Sequence, residues 1–176
     1  MPNYRRVWVP GGTYFFTVNL LERRRSLLIE NIDSLHEAFR IAHRARLFAM
    51  PAYVILPDHL HCLWRLPGGD ADIATRWRHI KTLFSRSFPA GERLSERRMR
   101  KSERGIWQRR YWERLIRDEQ DYRNHFDYIH YNPVKHGYVG SALDWPHSSF
   151  RHWLHKGHYA ADWAMPMDDG IDAWRG

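Results

Sequence analysis

Two segments of the chain carry side chains able to act together on a phosphate. PDHLHCLW presents His59 and His61, and DYIHYNPVKHG presents Tyr128. Residues i and i+2 of a strand share a face, so the two imidazoles can meet one ion while Leu60 packs behind them. A phosphate held beside that ion is open to attack by a tyrosine hydroxyl, a side chain that can form a covalent intermediate. A His-x-His pair by itself is commonly plain packing, and the chain has nine tyrosines, so the reading depends on what surrounds them. Asn132 stands one helical turn beyond Tyr128 and is placed to add an amide oxygen to the same ion. Cys62 points to the other face of the strand, which leaves zinc without a usual fourth ligand. Two imidazoles, one amide oxygen and open positions suit Mg²⁺ or Mn²⁺ better.

The elements that must position these residues are legible in the periodicities. Thr13 to Leu20, TYFFTVNL, reads as a half-buried strand in which Tyr14, Phe16, Val18 and Leu20 alternate with Thr13, Thr17 and Asn19. Ile32 to Arg46 reads as an amphipathic helix capped by Asp33 or Ser34, with Leu35, Phe39 and Ala42 inward. Ala52 to Leu56 and His59 to Leu66 form a hairpin through Pro57 and Asp58. Leu60, Cys62, Trp64 and Leu66 then face a helix layer, away from the histidines. A second helix runs from Asp72 to about Phe88 with Ile73, Trp77, Ile80 and Phe84 at helical spacing. A third spans Asp118 to Asn132, with Asp118 as cap, Tyr122, Phe126 and Ile129 as the buried stripe, and Pro133 as its end. At about 100° per residue Tyr128 lies over 90° from that stripe, which predicts a hydroxyl outside the core.

Composition narrows the partners. The 176 residues are 43% hydrophobic and 15% aromatic, enough for one core, and the formal charge of +8 favours a polyanion over a membrane. The absence of a long apolar run and of an apolar leader in MPNYRRVWVPGG predicts a cytoplasmic protein. A single cysteine excludes an internal disulfide and a multi-cysteine zinc site. Residues 91–110 hold eight Lys or Arg and predict a mobile basic loop, in which Trp107, Tyr111 and Trp112 would meet bases. Arg76, Arg78, Lys81, Arg109 and Lys135 are candidates for phosphate contacts. Trp153, Trp163 and Trp174 predict that the tail after residue 150 folds back on a domain spanning 1–150. No phosphate-binding glycine loop is present, so no nucleotide cofactor is expected.

Read in order, GGTYFFTVNL, LPDHLHCLWRLP, WQRRYWERLIRD, DYIHYNPVKHG and DWPHSSF make the chain similar to the REP-associated tyrosine transposases, a branch of the single-tyrosine HUH endonucleases. The resemblance runs from about Tyr4 to Phe150. It implies an α+β fold: a ferredoxin-like antiparallel sheet with helices packed on it and His59 and His61 on a central strand. It implies single-stranded DNA hairpins from repetitive extragenic palindromes as substrates, a 5′-phosphotyrosine link through Tyr128, and a monomer. Thr13 and Tyr14 match the family's G-T-aromatic motif, which the resemblance links to reading a short tetranucleotide beside the hairpin. One position departs: Arg114 stands where family members often have histidine. That keeps open a hairpin-binding module without chemistry, and a metal-dependent nuclease that uses water is a second alternative. His125 and His130 are both candidates for the base that assists Tyr128.

Overall fold

A computed structural model of the chain describes residues 8–89, 91 and 94–165. In chain order the elements are β1 (Thr13–Asn19), α1 (Leu27–Glu30), α2 (Ile32–Ala45), β2 (Ala49–Ile55), β3 (His59–Arg65), α3 (Ile73–Arg86), α4 (Glu96–Arg100), β4 (Trp112–Leu115), α5 (Glu119–Lys135), a 3-10 turn at Ala142–Asp144, and α6 (Phe150–His155). The sheet order is β2-β3-β1-β4 and every pairing is antiparallel. With the helices between β1 and β2 and between β3 and β4, this is the ferredoxin-like α+β arrangement, and β3 and β1 are its central strands.

Strand periodicity divides the interior into two layers. Tyr14, Phe16, Val18, Leu60, Cys62 and Trp64 meet Leu35, Phe39, Ile73, Trp77 and Phe84 of α2 and α3. On the opposite face, Phe15, Val54 and Leu63 pack with Phe126, Tyr128 and Ile129 of α5. β1 is therefore covered on both sides, and Phe15 and Thr17 are buried where a half-buried strand was expected. It stops at Asn19, and Leu20 makes only an isolated bridge to Trp107. β2 begins at Ala49, earlier than the apolar run suggested. Its pairing slips between Ala49 and Ala52, where Pro51 has no N–H for the ladder, an irregularity an edge strand tolerates.

Helix ends follow local chemistry with two corrections. Asp72 and Asp118 cap α3 and α5 through Thr75 N–H and Asp121 N–H. α2 is preceded by Asn31 rather than capped by Asp33 or Ser34, and Asn31 donates instead to Leu27 O at 3.0 Å. Pro133 does not end α5. The helix runs to Lys135 and closes on Gly137, whose φ of +73° needs no Cβ. Gly137 N–H bonds Val134 O at 2.9 Å and Tyr138 N–H bonds Pro133 O at 3.0 Å, the paired bonds of a Schellman motif. The extra residues place Lys135 and His136 beside the histidine pair.

α5 is buried on two sides, by the sheet and by residues 150–163. Trp153, Tyr159 and Trp163 pack into the second core layer, and Trp153 Nε1 donates to Pro51 O at 2.8 Å. Trp174 lies outside the described residues. The double cover corrects the expectation for Tyr128: its ring lies off the Phe126 stripe, yet it is 6% exposed because it faces the sheet.

The basic stretch is also more ordered in its described part than composition suggested. It contains α4, buries Ile106 and Trp107, and is tied down by Arg104, which donates to the carbonyls of Ser85, Phe88 and Pro89. Trp107 and Tyr111 pack with the first core layer and Trp112 with the second, so packing uses the aromatics expected to meet bases.

Candidate active site

His59 and His61 stand on the α5 face of β3 with ring centroids 5.0 Å apart and planes at 85°. The Nδ1 atom of each is already engaged. His59 Nδ1 donates to Asp58 Oδ1 at 2.6 Å, and His61 Nδ1 lies 2.9 Å from Thr17 Oγ1 on the paired strand. Such partners fix ring orientation and leave Nε2 for an ion. Burial above all pushes His61 well below the usual imidazole range, so it is neutral and its lone pair is available. Burial alone would raise the Asp58 carboxyl, but hydrogen bonds from His59 and Arg23 hold it down at about 2. It is a carboxylate at neutral pH.

α5 brings the other participants over this pair. The Tyr128 ring lies 5.5 Å from His61 and 6.1 Å from Phe15. The His136 ring, two turns further on, lies 5.3 Å from His59. Asn132 sits midway between them on the same side of the helix, which sets it against the two histidines. It is fully buried, and neither Oδ1 nor Nδ2 has a hydrogen-bond partner among the described residues. A buried amide in that condition costs stability unless something binds it. No group of three or more His, Cys, Asp or Glu gathers at metal-binding distance among the described residues. The available donors are thus two imidazoles and one amide, and they fit a divalent ion that keeps water in its open positions.

Lys135 Nζ stands 5.0 Å from the centre of the Tyr128 ring, a cation over the π face of the phenol. Arg114 is joined to the start of the same helix: its Nη2 meets Asp121 Oδ1 at 3.3 Å, while Arg117 N–H and Nε bond Asp121 Oδ2. The residue that departs from the family pattern therefore links β4 to α5.

The two candidate bases differ. His130 is fully buried and held at both nitrogens, by Ser149 Oγ at 2.7 Å and Tyr159 Oη at 3.0 Å, and burial lowers it to about 3. It anchors the segment after residue 148 and is no base. His125 packs 4.7 Å from Phe15, and its Nδ1 bonds Asp121 O at 2.7 Å. Burial lowers it as well.

The residues expected at phosphates separate into three groups. Arg76 is excluded: it is 1% exposed, paired through both Nη atoms with Asp70, and bonded to the carbonyls of Arg46, Leu47 and Asp72. An arginine on α3 that faces the core must be neutralised where it is. Arg78, Lys81 and Arg109 gather at a cavity of about 660 Å³ between α3 and residues 98–111, where Arg86 and Lys101 also point and Glu103 is the one acid. That cavity opens on the α2–α3 side of the sheet, opposite α5. Lys135 alone of the five is at the histidines. Of the G-T-aromatic pair, Tyr14 is 1% exposed, and its hydroxyl is bound to the Val9 backbone, so its ring cannot reach DNA. Thr13 lines a shallow cavity with Gly12, Arg117 and Tyr122. It pairs with Arg65, roughly 20 Å along β3 from His59.

Sequence reasoning missed Asp58, Thr17 and His136. The first two act through histidine Nδ1 atoms: Thr17 is a cross-strand partner, not visible in one strand's spacing, whereas Asp58 adjoins His59 and was read only as a turn residue. His136 had a signal, since KHG is a helix C-terminus with glycine at the left-handed position.

No protein-family profile matches the chain. An Escherichia coli (strain K12) REP-associated tyrosine transposase is 44% identical over 169 residues, covering 96% of this chain and 94% of its own. A Haemophilus influenzae relative named for the same family is 46% identical, covering 96% of each. A solved structure of a REP-associated tyrosine transposase bound to a REP hairpin is 44% identical, covers 96% of this chain and 94% of that one, and superposes with a TM-score of 0.82. Identity of this order along nearly the whole length, joined to a tyrosine set over two strand-borne histidines, makes the chain a member of the REP-associated tyrosine transposases.

Proposed function

We propose that the chain cuts and rejoins single-stranded DNA at REP-like palindromic hairpins, with Tyr128 as nucleophile. The observation that carries this reading is the Tyr128 ring 5.5 Å from His61, on the helix that also holds Asn132, whose amide has no hydrogen-bond partner among the described residues. Tyr128 Oη attacks phosphorus, the bond from phosphorus to the 3′ oxygen breaks, and that oxygen leaves as a 3′-hydroxyl with a proton. The product is a 5′-phosphotyrosine, and attack by a 3′-hydroxyl reverses it. The phosphodiester energy is kept in the link, so no nucleotide cofactor enters.

His59, His61 and Asn132 are placed to hold a divalent ion, Mg²⁺ or Mn²⁺. Such an ion, when bound, polarises a non-bridging phosphate oxygen and orients it for in-line attack. Asp58 and Thr17 hold the imidazoles in position. Lys135 supplies fixed positive charge at the phenol and the phosphate. The Tyr128 ring reaches within 5.5 Å of His61 without help from a second copy, in keeping with action as a monomer. Arg78, Lys81 and Arg109 offer phosphate contacts for the hairpin on the opposite face, and Thr13 a contact for the adjoining strand.

The test is incubation of a labelled hairpin oligonucleotide with Mn²⁺ and the protein, then a denaturing gel and mass mapping. An EDTA-sensitive adduct at Tyr128, lost in Tyr128→Phe while hairpin binding persists, is the expected result. Cut product without adduct assigns the chemistry to water. Binding with neither product, across several flanking sequences, leaves a binding module.

A further inference from the structure

A row of rings leads out of the histidine site to the surface. His136 lies 5.3 Å from His59, Tyr138 lies 6.1 Å from His136 at 39°, and Trp145 lies 5.3 Å from Tyr138 at 33°. The row is built on fixed backbone. Tyr138 is the residue whose N–H closes the Schellman motif, and Trp145 Nε1 donates to Ile55 O at 3.0 Å, at the end of β2. Tyr138 is nonetheless 45% exposed. Three residues past the helix that carries the nucleophile, such exposure leaves much of an aromatic side chain in water. Gly137 and Gly140 around it have open space among the described residues where a side chain would stand. The border carries an ion pair: Arg23, 55% exposed at its side chain, is bonded through Nε to the Asp58 carboxylate at 2.7 Å, which leaves its outer Nη atoms toward water. Its charge acts on both Tyr138 and His136.

Rings held in place, half in water and bordered by a guanidinium are what an unpaired nucleobase and its phosphate require. We propose that Tyr138, backed by Trp145, is a stacking platform for an unpaired base of the single-stranded flank beside the scissile phosphate, with Arg23 at that nucleotide's phosphate. The inference rests on the transposase reading and names what that site holds at its edge. The platform recognises any base, because every base has a π face, and so contributes affinity and strand placement rather than sequence choice.

The test uses the full chain with Tyr128→Phe to prevent turnover, and a labelled hairpin bearing a single-stranded flank. Tyr138→Ala is expected to weaken binding roughly five- to a hundred-fold, the range for one base–aromatic stack, while Tyr138→Trp retains it. An abasic nucleotide at one flank position should weaken the parent by a similar factor and add nothing in Tyr138→Ala. Unchanged melting of Tyr138→Ala separates lost stacking from lost folding. Equal affinities of parent and Tyr138→Ala overturn the platform, as do abasic losses that persist undiminished in Tyr138→Ala. If the chain with Tyr128 intact still forms its adduct, the transposase reading stands although the platform has failed. If it neither binds the hairpin nor forms an adduct, both fall together.

Discussion

Replacing Asn132 with leucine, close in volume but without polar atoms, is expected to stabilise the metal-free protein. Asn132 is fully buried, and neither its Oδ1 nor its Nδ2 has a partner among the described residues. A buried polar group left unsatisfied costs about 1–3 kcal/mol, so the low end for two such atoms gives about 2 kcal/mol returned by the substitution. For a domain of this size 1 kcal/mol moves Tm by roughly 2–4 °C, so Asn132→Leu should melt about 4–8 °C above the parent in EDTA. Mn²⁺ reverses the order. The parent gains about 2.7 kcal/mol at a hundred times its Kd, whereas the variant keeps two imidazoles and gains much less. Thermal melts in EDTA and along a Mn²⁺ titration read both effects with no DNA present. Equal Mn²⁺ shifts in parent and variant would falsify the ligand assignment, and a variant less stable than the parent in EDTA would show that the amide is already satisfied.

Three further outcomes follow from named contacts. Arg76→Ala removes a buried guanidinium that bonds Asp70 and the carbonyls of Arg46, Leu47 and Asp72, and should cost about 3 kcal/mol in a denaturant melt, with the salt dependence of hairpin binding unchanged. Arg78 and Lys81 line the basic cavity, so changing both to alanine should reduce the slope of log affinity against log salt by roughly 1.5–2, measured by anisotropy. His130 is lowered to about 3 in the folded chain, so unfolding takes up a proton between that value and about 6.5. Its contribution, on the order of 5 kcal/mol, is complete above pH 6.5 and lost as pH falls toward 3, and denaturant melts should lose that slope in His130→Gln.

The local chemistry of the chain was open to a reader of its residues. His59 and His61 share a face because strands alternate, Asp72 and Asp118 cap helices because their carboxylates reach orphan N–H groups, and Tyr128 and Asn132 share a side because helices turn every 3.6 residues. The motifs sufficed for the family and for the topology it carries. What one element's periodicity could not hold was its second neighbour. Phe15 and Thr17 are buried because β1 is central, and Tyr128 is buried because α5 lies between the sheet and residues 150–163. Arg76 had the composition of a phosphate contact, but a side chain facing the core must find its counter-charge there, and Asp70 supplies it. The same limit applies to Thr17 and the row from His136 to Trp145. Each joins positions distant in sequence or turned by a left-handed glycine, so packing in three dimensions assigns their roles, whereas short-range hydrogen bonding and side-chain direction assign the elements themselves.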